Sequence, residues 1–284
     1  MKEPLPVRQE DRYGLMHKAL CFGLKDYFEK HGFKKAILGL SGGIDSAVVA
    51  AIAAEALGGE NVTGLLMPSR FSTGHSVSDA RELAENLHMP HHTIEIKDIY
   101  DRYMVALKPL FRDEPFNVAE ENIQSRSRGM LVMALSNKFG YIALNTSNKS
   151  EASVGYGTLY GDLCGSLGIL GDVYKTEVYG LAGFINREKE IIPVNTITKA
   201  PSAELRPDQK DSDSLPDYDT MDKVLKMYVE EKCSREKIVS AGFEGGTVDR
   251  IIGMVRKNEY KRAQCPPVIK ISYKTYRCGR YMPF

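Results

Sequence analysis

The sequence predicts an α/β protein in which a parallel sheet is flanked by helices on both faces and the C-terminal third is helical. Three observations carry this expectation. Apolar runs of strand length alternate with helical patterns over the first half of the chain, as βαβ units do. The first of these runs ends in a glycine-rich turn that opens an alanine-rich helix. Beyond residue 219 only helical periodicity returns.

The elements follow in order. Residues 11–30 read as an opening helix. Residues 35–40 (KAILGL) form a buried strand, and AVVAAIAAEAL is a helix stopped by Gly58 and Gly59. Residues 62–67 (VTGLLM) are a second strand ended by Pro68, and 76–87 an amphipathic helix. Residues 92–96 (HTIEI) alternate as a strand does, with His91-His92 as the entry from the loop. Helical patterns cover 99–111 and 118–139, and 141–145 (YIALN) is a fourth strand. The six glycines within 155–172 are too many for a helix interior. Residues 206–219 (RPDQKDSDSLPDYD) read as an exposed, mobile loop. Helices return at 220–232, 234–241 and 247–262. One domain over residues 1–284 accounts for all of it.

Composition narrows the class. The 284 residues are 43% hydrophobic and 26% charged, which excludes disordered and fibrous chains. A formal charge of +1 gives no bulk pull toward nucleic acid or a membrane surface. The longest clean apolar run, 47–54, is far too short to span a bilayer. The first residues mix charge with two prolines and lack the apolar centre of a signal peptide. Cys21, Cys164, Cys233, Cys265 and Cys278 are odd in number and contain no CxxC pair. That argues against a disulfide framework and against a zinc site, and for a reducing, cytoplasmic setting.

The segment Ser41-Gly42-Gly43-Ile44-Asp45-Ser46 carries the most chemistry. A small-residue turn between a strand and a helix exposes backbone N–H groups, and the helix N-terminus adds its positive dipole end. Gly42 and Gly43 admit a phosphate where any Cβ would intrude. Ser41 and Ser46 add hydroxyl donors. Asp45 repels an anion, so its presence points to a divalent cation between it and the phosphates. An ordinary helix N-cap would need neither the paired glycines nor both serines. The lysine of a GxxxxGK[ST] loop is missing.

SGGxDS resembles the pyrophosphatase loop of the N-type ATP pyrophosphatases. That resemblance implies an adenine nucleotide α-hydrolase-like fold with ATP over the carboxyl ends of the strands. Further segments narrow it: MPSRFS (67–72), ENIQSRSR (121–128), NTSNKSE (145–151) running into VGYGTLYGD, PSAEL (201–205) and EYKR (259–262). In this order they look like the synthetase domain of NAD synthetases, and most like the synthetase half of the glutamine-dependent ones. The resemblance implies that ATP adenylates the nicotinate carboxylate of deamido-NAD, releasing pyrophosphate, and that ammonia then displaces AMP to give NAD.

Residue roles follow from the same resemblance. Asp45 and Glu151 would hold Mg²⁺. The glycine loop with Arg70, Thr146, Lys175 and Ser202 would bind ATP, Lys175 offering a point charge to phosphate. Asn122, Arg126, Glu151, Tyr156, Gly157, Thr158, Leu159 and Lys261 would contact deamido-NAD. Ser202 stands where the ammonia-dependent pattern usually has threonine. Asp45 and Lys175 would act by positioning and charge stabilisation, and no general base is assignable. Plainer readings stand beside these: Glu151 as a cap, Arg126 and Arg128 as a solvated helix face, Lys149 as a solvated lysine, Tyr156 and Tyr160 as core or turn aromatics. The loop 206–219 could order as a lid over the adenylate.

Only about forty residues precede the glycine loop, too few for a glutaminase domain, so the expectation is free ammonia, ammonia from a separate glutaminase chain, or an excised domain of a longer protein. The family also implies a homodimer. The competing readings are another ATP pyrophosphatase, such as a GMP-synthetase-like amidase or a tRNA thiolase, and a non-catalytic nucleotide binder.

Overall fold

A computed structural model describes residues 11–276. The readings of the first ten residues and of Cys278 lie outside them. Helix α1 (Arg12–His31) starts where the Asp11 carboxylate accepts from the Tyr13 N–H at 3.1 Å and stops at Gly32, in the left-handed region at φ 71°. Strand β1 (Ala36–Gly39) is followed by α2 (Ile44–Leu57), β2 (Val62–Leu66), α3 (Gly74–Asn86) and β3 (His91–Thr93). Then come α4 (Lys97–Phe111), α5 (Val118–Phe139), β4 (Ile142–Asn145), α6 (Lys149–Val154) and the short β5 (Leu167–Gly168). The remainder is α7 (Lys175–Ile185), α8 (Val194–Thr198), α9 (Tyr218–Leu225), α10 (Arg235–Ser240), α11 (Gly245–Lys257) and α12 (Glu259–Arg262).

All pairings are parallel, in the order β3-β2-β1-β4-β5, with Ala36 opposite both Val62 and Ile142. The chain order reverses between β1 and β4, so a crevice opens at the carboxyl ends of these strands. One core, including Leu20, Leu38, Val48, Leu66, Leu83 and Val178, packs α1, α2, α3 and α7 on one face of the sheet. Ile37, Leu65, Ile96, Val132 and Ala143 form the core of the other face, under α5. A third core, centred on Met221, Val224, Val248 and Ile251, holds the C-terminal helices. Among the described residues no helix is long and apolar enough to cross a membrane.

Several expectations are corrected. The third strand begins at His91 and ends at Thr93, because Ile96 turns into the α4 N-cap while its side chain packs fully buried. Helix α7 is absent from the sequence reading, since Gly180 and Gly183 interrupt its pattern. Gly180 is there for packing: a Cβ would lie 2.1 Å from the Tyr13 ring. The 247–262 helix is broken at Asn258, whose side-chain amide donates to the Val154 and Met254 carbonyls at 2.8 and 2.9 Å. The loop 206–219 is not simply exposed, for Asp211 and Leu215 are buried (5% each) and α9 already begins at Tyr218. Lys149 is not solvated. Its side chain is fully buried, with Nζ 2.9 Å from Asp172, 2.6 Å from Glu230, and donating to Ser272 Oγ and the Lys274 carbonyl. These partners tie α6 to the segment after α12, whose Val268 pairs with Gly168.

Candidate functional site

A cleft of about 450 Å³ opens at the carboxyl ends of β1, β2 and β4. Its floor is the glycine loop. The Ser46 hydroxyl donates to the Gly43 carbonyl at 3.0 Å and accepts from the Ser41 N–H at 3.3 Å. The Ser41 hydroxyl accepts from the Gly43 N–H at 3.1 Å. The two serines therefore fix the loop on themselves, which leaves its shape prepared in advance. Gly42 lies at φ 77°, and a Cβ there would stand 2.2 Å from the Ser76 carbonyl oxygen at the start of α3. Gly42→Ala should cost at least about 1–3 kcal/mol of stability and deform the loop. Urea denaturation checks it, and an unchanged midpoint would contradict this packing.

Asp45, in the first turn of α2, points at the start of α6. Its Oδ1 accepts from the Asn148 side-chain amide at 2.8 Å, and its Oδ2 accepts a short bond from Lys175 Nζ. The same ammonium lies 3.4 Å from Glu151 Oε1. Asn148 also caps α6, its Oδ1 accepting from the Glu151 N–H at 3.0 Å. Asn148, not Glu151, is therefore the cap, which leaves the Glu151 carboxylate directed at Asp45 and Lys175. Burial, with Asp45 beside it, pushes the Glu151 carboxyl up to about 8. Burial works against the charge on Lys175, but the two carboxylates outweigh it and hold the ammonium above its usual range.

A second buried carboxylate group faces this cluster. Asp211 accepts from the Tyr156 hydroxyl at 3.0 Å and the Tyr218 hydroxyl at 2.9 Å. Burial first, and the neighbouring carboxylates second, push both phenols up, so they remain donors. The opposite wall is the glycine-rich segment. The Thr158 hydroxyl donates to Asn122 Oδ1 at 2.7 Å, the Thr158 N–H to Asp162 at 2.8 Å, and Ser125 Oγ to the same Asp162 oxygen at 2.7 Å. Lys261 Nζ holds the Gly155 and Gly157 carbonyls at 2.8 Å each, which is why the break at Asn258 matters. At the rim, Glu204 accepts from Ser76 Oγ at 2.7 Å and from Lys199 Nζ at 2.5 Å.

Most of the residues singled out from the sequence line this cleft: Ser41, Gly43, Ile44, Asp45, Ser46, Asn122, Thr146, Glu151, Tyr156, Gly157, Thr158, Lys175, Ser202 and Lys261. Gly42 is not among the lining residues and packs against Ser76. Arg70, Arg126 and Leu159 are not among the lining residues. Arg70 pairs with Asp101 beside the Tyr100 ring, and Arg126 Nε donates to the Leu159 carbonyl at 3.2 Å. Arg128 is no solvated residue: it lines the cleft, donates to the Met67 carbonyl at 3.0 Å, and burial lowers its guanidinium to about 10. Asn148, Asp162, Lys199, Glu204 and Asp211 were not singled out. The Asn-x-x-Glu spacing of 148–151 is a cap signature that could have flagged Asn148. Nothing marks Asp211 among the five aspartates of its loop.

The site thus joins a helix N-terminus, whose dipole favours anions, one buried ammonium and two carboxylates, which are hard-oxygen donors. A family profile described as NAD synthase matches residues 16–265. A glutamine-dependent NAD(+) synthetase from Synechocystis is 54% identical over 266 residues, 94% of this chain and 48% of that protein. The chain spans about half the length of the curated relatives it matches. Among solved structures, an NH3-dependent NAD synthetase from Campylobacter jejuni is 28% identical with a TM-score of 0.71, over 92% of this chain and 98% of that one. An NMN synthetase from Francisella tularensis is 26% identical with a TM-score of 0.75, over 93% and 98%. The fold is the adenine nucleotide α-hydrolase-like one, and the chain belongs to the NAD synthase family.

Proposed function

We propose that this chain amidates deamido-NAD to NAD with ATP and ammonia. The observation that carries the reading is the meeting of Asp45, Lys175 and Glu151 beside the glycine loop, in a cleft whose other wall is Asn122, Thr158 and Lys261. ATP lies with its phosphates on the loop. A nicotinate carboxylate oxygen attacks the α-phosphorus and pyrophosphate leaves, giving the acyl-adenylate. Ammonia then adds to the carbonyl carbon, AMP departs with the carboxylate oxygen, and the nitrogen gives up a proton. The backbone N–H groups of residues 44–46 at the start of α2 and the Lys175 ammonium meet the charge that grows on the leaving phosphates. Thr158, Asn122 and Tyr156 orient the second nucleotide. No side chain forms a covalent bond.

Two carboxylates, already paired through a cation, form a hard-oxygen donor set that fits Mg²⁺. Asp45 and Glu151 would hold it, and when bound it neutralises the leaving pyrophosphate. A pH dependence follows. Between the usual 4.5 and about 8 the folded protein holds a proton on Glu151 that the unfolded chain has lost, so this group's contribution to stability falls as pH rises through that window. Mg²⁺ must displace that proton, so its affinity should rise between about pH 6 and pH 8 and then level off. Calorimetric titration across pH tests this. A flat profile in the wild type, or an unchanged slope in Glu151→Gln, would refute it.

The deciding experiment is a product assay with ATP, Mg²⁺ and deamido-NAD, supplied with ammonium or with glutamine, and nicotinate mononucleotide as the competing acceptor. NAD and AMP in equal amounts with ammonium support the reading. Amidation of the mononucleotide alone would move the substrate, and no amide from either acceptor would sink the function. Glutamine serves only where a glutaminase releases its ammonia. A homodimer belongs to the same reading, and the exposed Val105, Leu110, Val118, Met130 and Phe139 of α4 and α5 offer apolar surface for it. Analytical ultracentrifugation decides that point.

A further inference from the structure

At the far end of α2 from the glycine loop, the fold collects a second set of ligating side chains. His17 and Cys21 are four residues apart on α1 and share one face of it. Glu55 reaches the same point from the last turn of α2. The Cys21 sulfur lies 3.8 Å from His17 Nε2, and that nitrogen lies 3.5 Å from Glu55 Oε2. One ligand atom from each of the three falls within 4.8 Å of the other two. A tetrahedral ion with metal–sulfur bonds of about 2.3 Å and metal–nitrogen and metal–oxygen bonds of about 2.0–2.2 Å sets its ligands roughly 3.3–3.6 Å apart. Two of the separations are within a few tenths of an ångström of these edges, and the third, from the Cys21 sulfur to the Glu55 carboxylate, is bounded at 4.8 Å.

We propose that His17, Cys21 and Glu55 bind a borderline-soft divalent metal of the Zn²⁺ class, which clamps α1 to α2. One nitrogen, one sulfur and one carboxylate oxygen suit Zn²⁺ or Co²⁺, whereas Mg²⁺ and Ca²⁺ take oxygen donors alone. His17 is buried, which fixes its ring; the Cys21 sulfur, 3.9 Å from Nδ1 and 3.8 Å from Nε2, must turn toward the Nε2 lone pair, and the Glu55 side chain, 64% exposed, can swing to meet it. A second cavity of about 370 Å³, lined by His17, Glu55 and Glu188 and also by Arg187 and Lys189, opens beside the three ligands and leaves room for water as a fourth. On binding, the Cys21 thiol becomes a thiolate and its proton goes to solvent, so one proton is released per ion. Ten residues of helix, about 15 Å, separate Glu55 from Asp45, so this site is distinct from the cleft. The sequence argued against zinc because it lacks CxxC spacing; this set is assembled from two helices instead.

Titration of the whole protein with Co²⁺ under reducing conditions tests the assignment. The wild type should develop a thiolate-to-cobalt charge-transfer band and tetrahedral d–d bands that saturate at one ion per chain, and excess Zn²⁺ should bleach them. Cys21→Ser should abolish the charge-transfer band, and Glu55→Gln, at an exposed position, should weaken binding by about tenfold or more. Zn²⁺ should raise the melting temperature of the wild type and leave that of Cys21→Ser unmoved. A wild type without the band overturns the proposal. So does a band that survives in Cys21→Ser, which would place the metal at another cysteine.

Discussion

On the proposed reaction, replacing Lys175 with methionine should lower the turnover of NAD formation by about 10²–10³-fold, the loss expected when one prepared charge partner of a developing anion is removed. The lysine is 2% exposed and sits between Asp45 and Glu151, so no water or neighbouring cation can substitute for it. The effect should fall on kcat more than on the KM for ATP, because the charge it meets grows as pyrophosphate departs. The same exchange removes the cation that competes with Mg²⁺ for the two carboxylates. Mg²⁺ binding without nucleotide should therefore strengthen while catalysis fails. Rapid-quench measurement of pyrophosphate release, beside calorimetric Mg²⁺ titration, reads both. A turnover loss below tenfold would remove Lys175 from the mechanism, and thermal unfolding of the variant controls for loss of fold.

The largest stability effect is expected at Lys149. Its ammonium is fully buried between Asp172 and Glu230, 4.7 Å from the centre of the Tyr174 ring. Lys149→Met leaves two carboxylates facing each other with no cation between them, and breaking a buried pair from one side costs about 3–5 kcal/mol. Asp172 also accepts from the Ile271 and Ser272 N–H groups, at 2.9 and 2.7 Å, so the segment after α12 should loosen with it. Urea denaturation should show the loss, and hydrogen exchange should quicken at residues 268–274. The double variant Lys149→Met, Glu230→Gln should recover part of the deficit, since one of the stranded charges is gone. A change under about 1 kcal/mol would mean that the network contributes nothing net, as for an exposed pair.

The contrast between these two lysines shows where a sequence is legible. Lys175 was named through the family resemblance, although it stands in none of the quoted motifs. Lys149, in a polar run between Asn148 and Ser150, has every local mark of a solvated residue. Its two neutralising partners lie 23 and 81 residues away, and no local pattern encodes their arrival. Asp211 is the same case in reverse: one aspartate of a polar loop becomes a buried acceptor because two tyrosines, Tyr156 and Tyr218, converge on it. For Arg70 and Arg126 the structure shows partners that no motif encodes, Asp101 and the Leu159 carbonyl.

By itself the sequence determined the parallel α/β architecture, the glycine loop between β1 and α2, and membership of the NAD synthase family. These rest on local terms: side-chain periodicity, the small residues a tight turn needs, and the order of short motifs. Only the tertiary structure decided which charges meet. It set Lys175 between Asp45 and Glu151, drew Lys149 into a buried network with the segment after α12, and brought His17, Cys21 and Glu55 together across two helices. The reason is physical. Backbone preference acts over a few residues, but the energy of a buried charge depends on the nearest opposite charge in space, and packing alone fixes that distance.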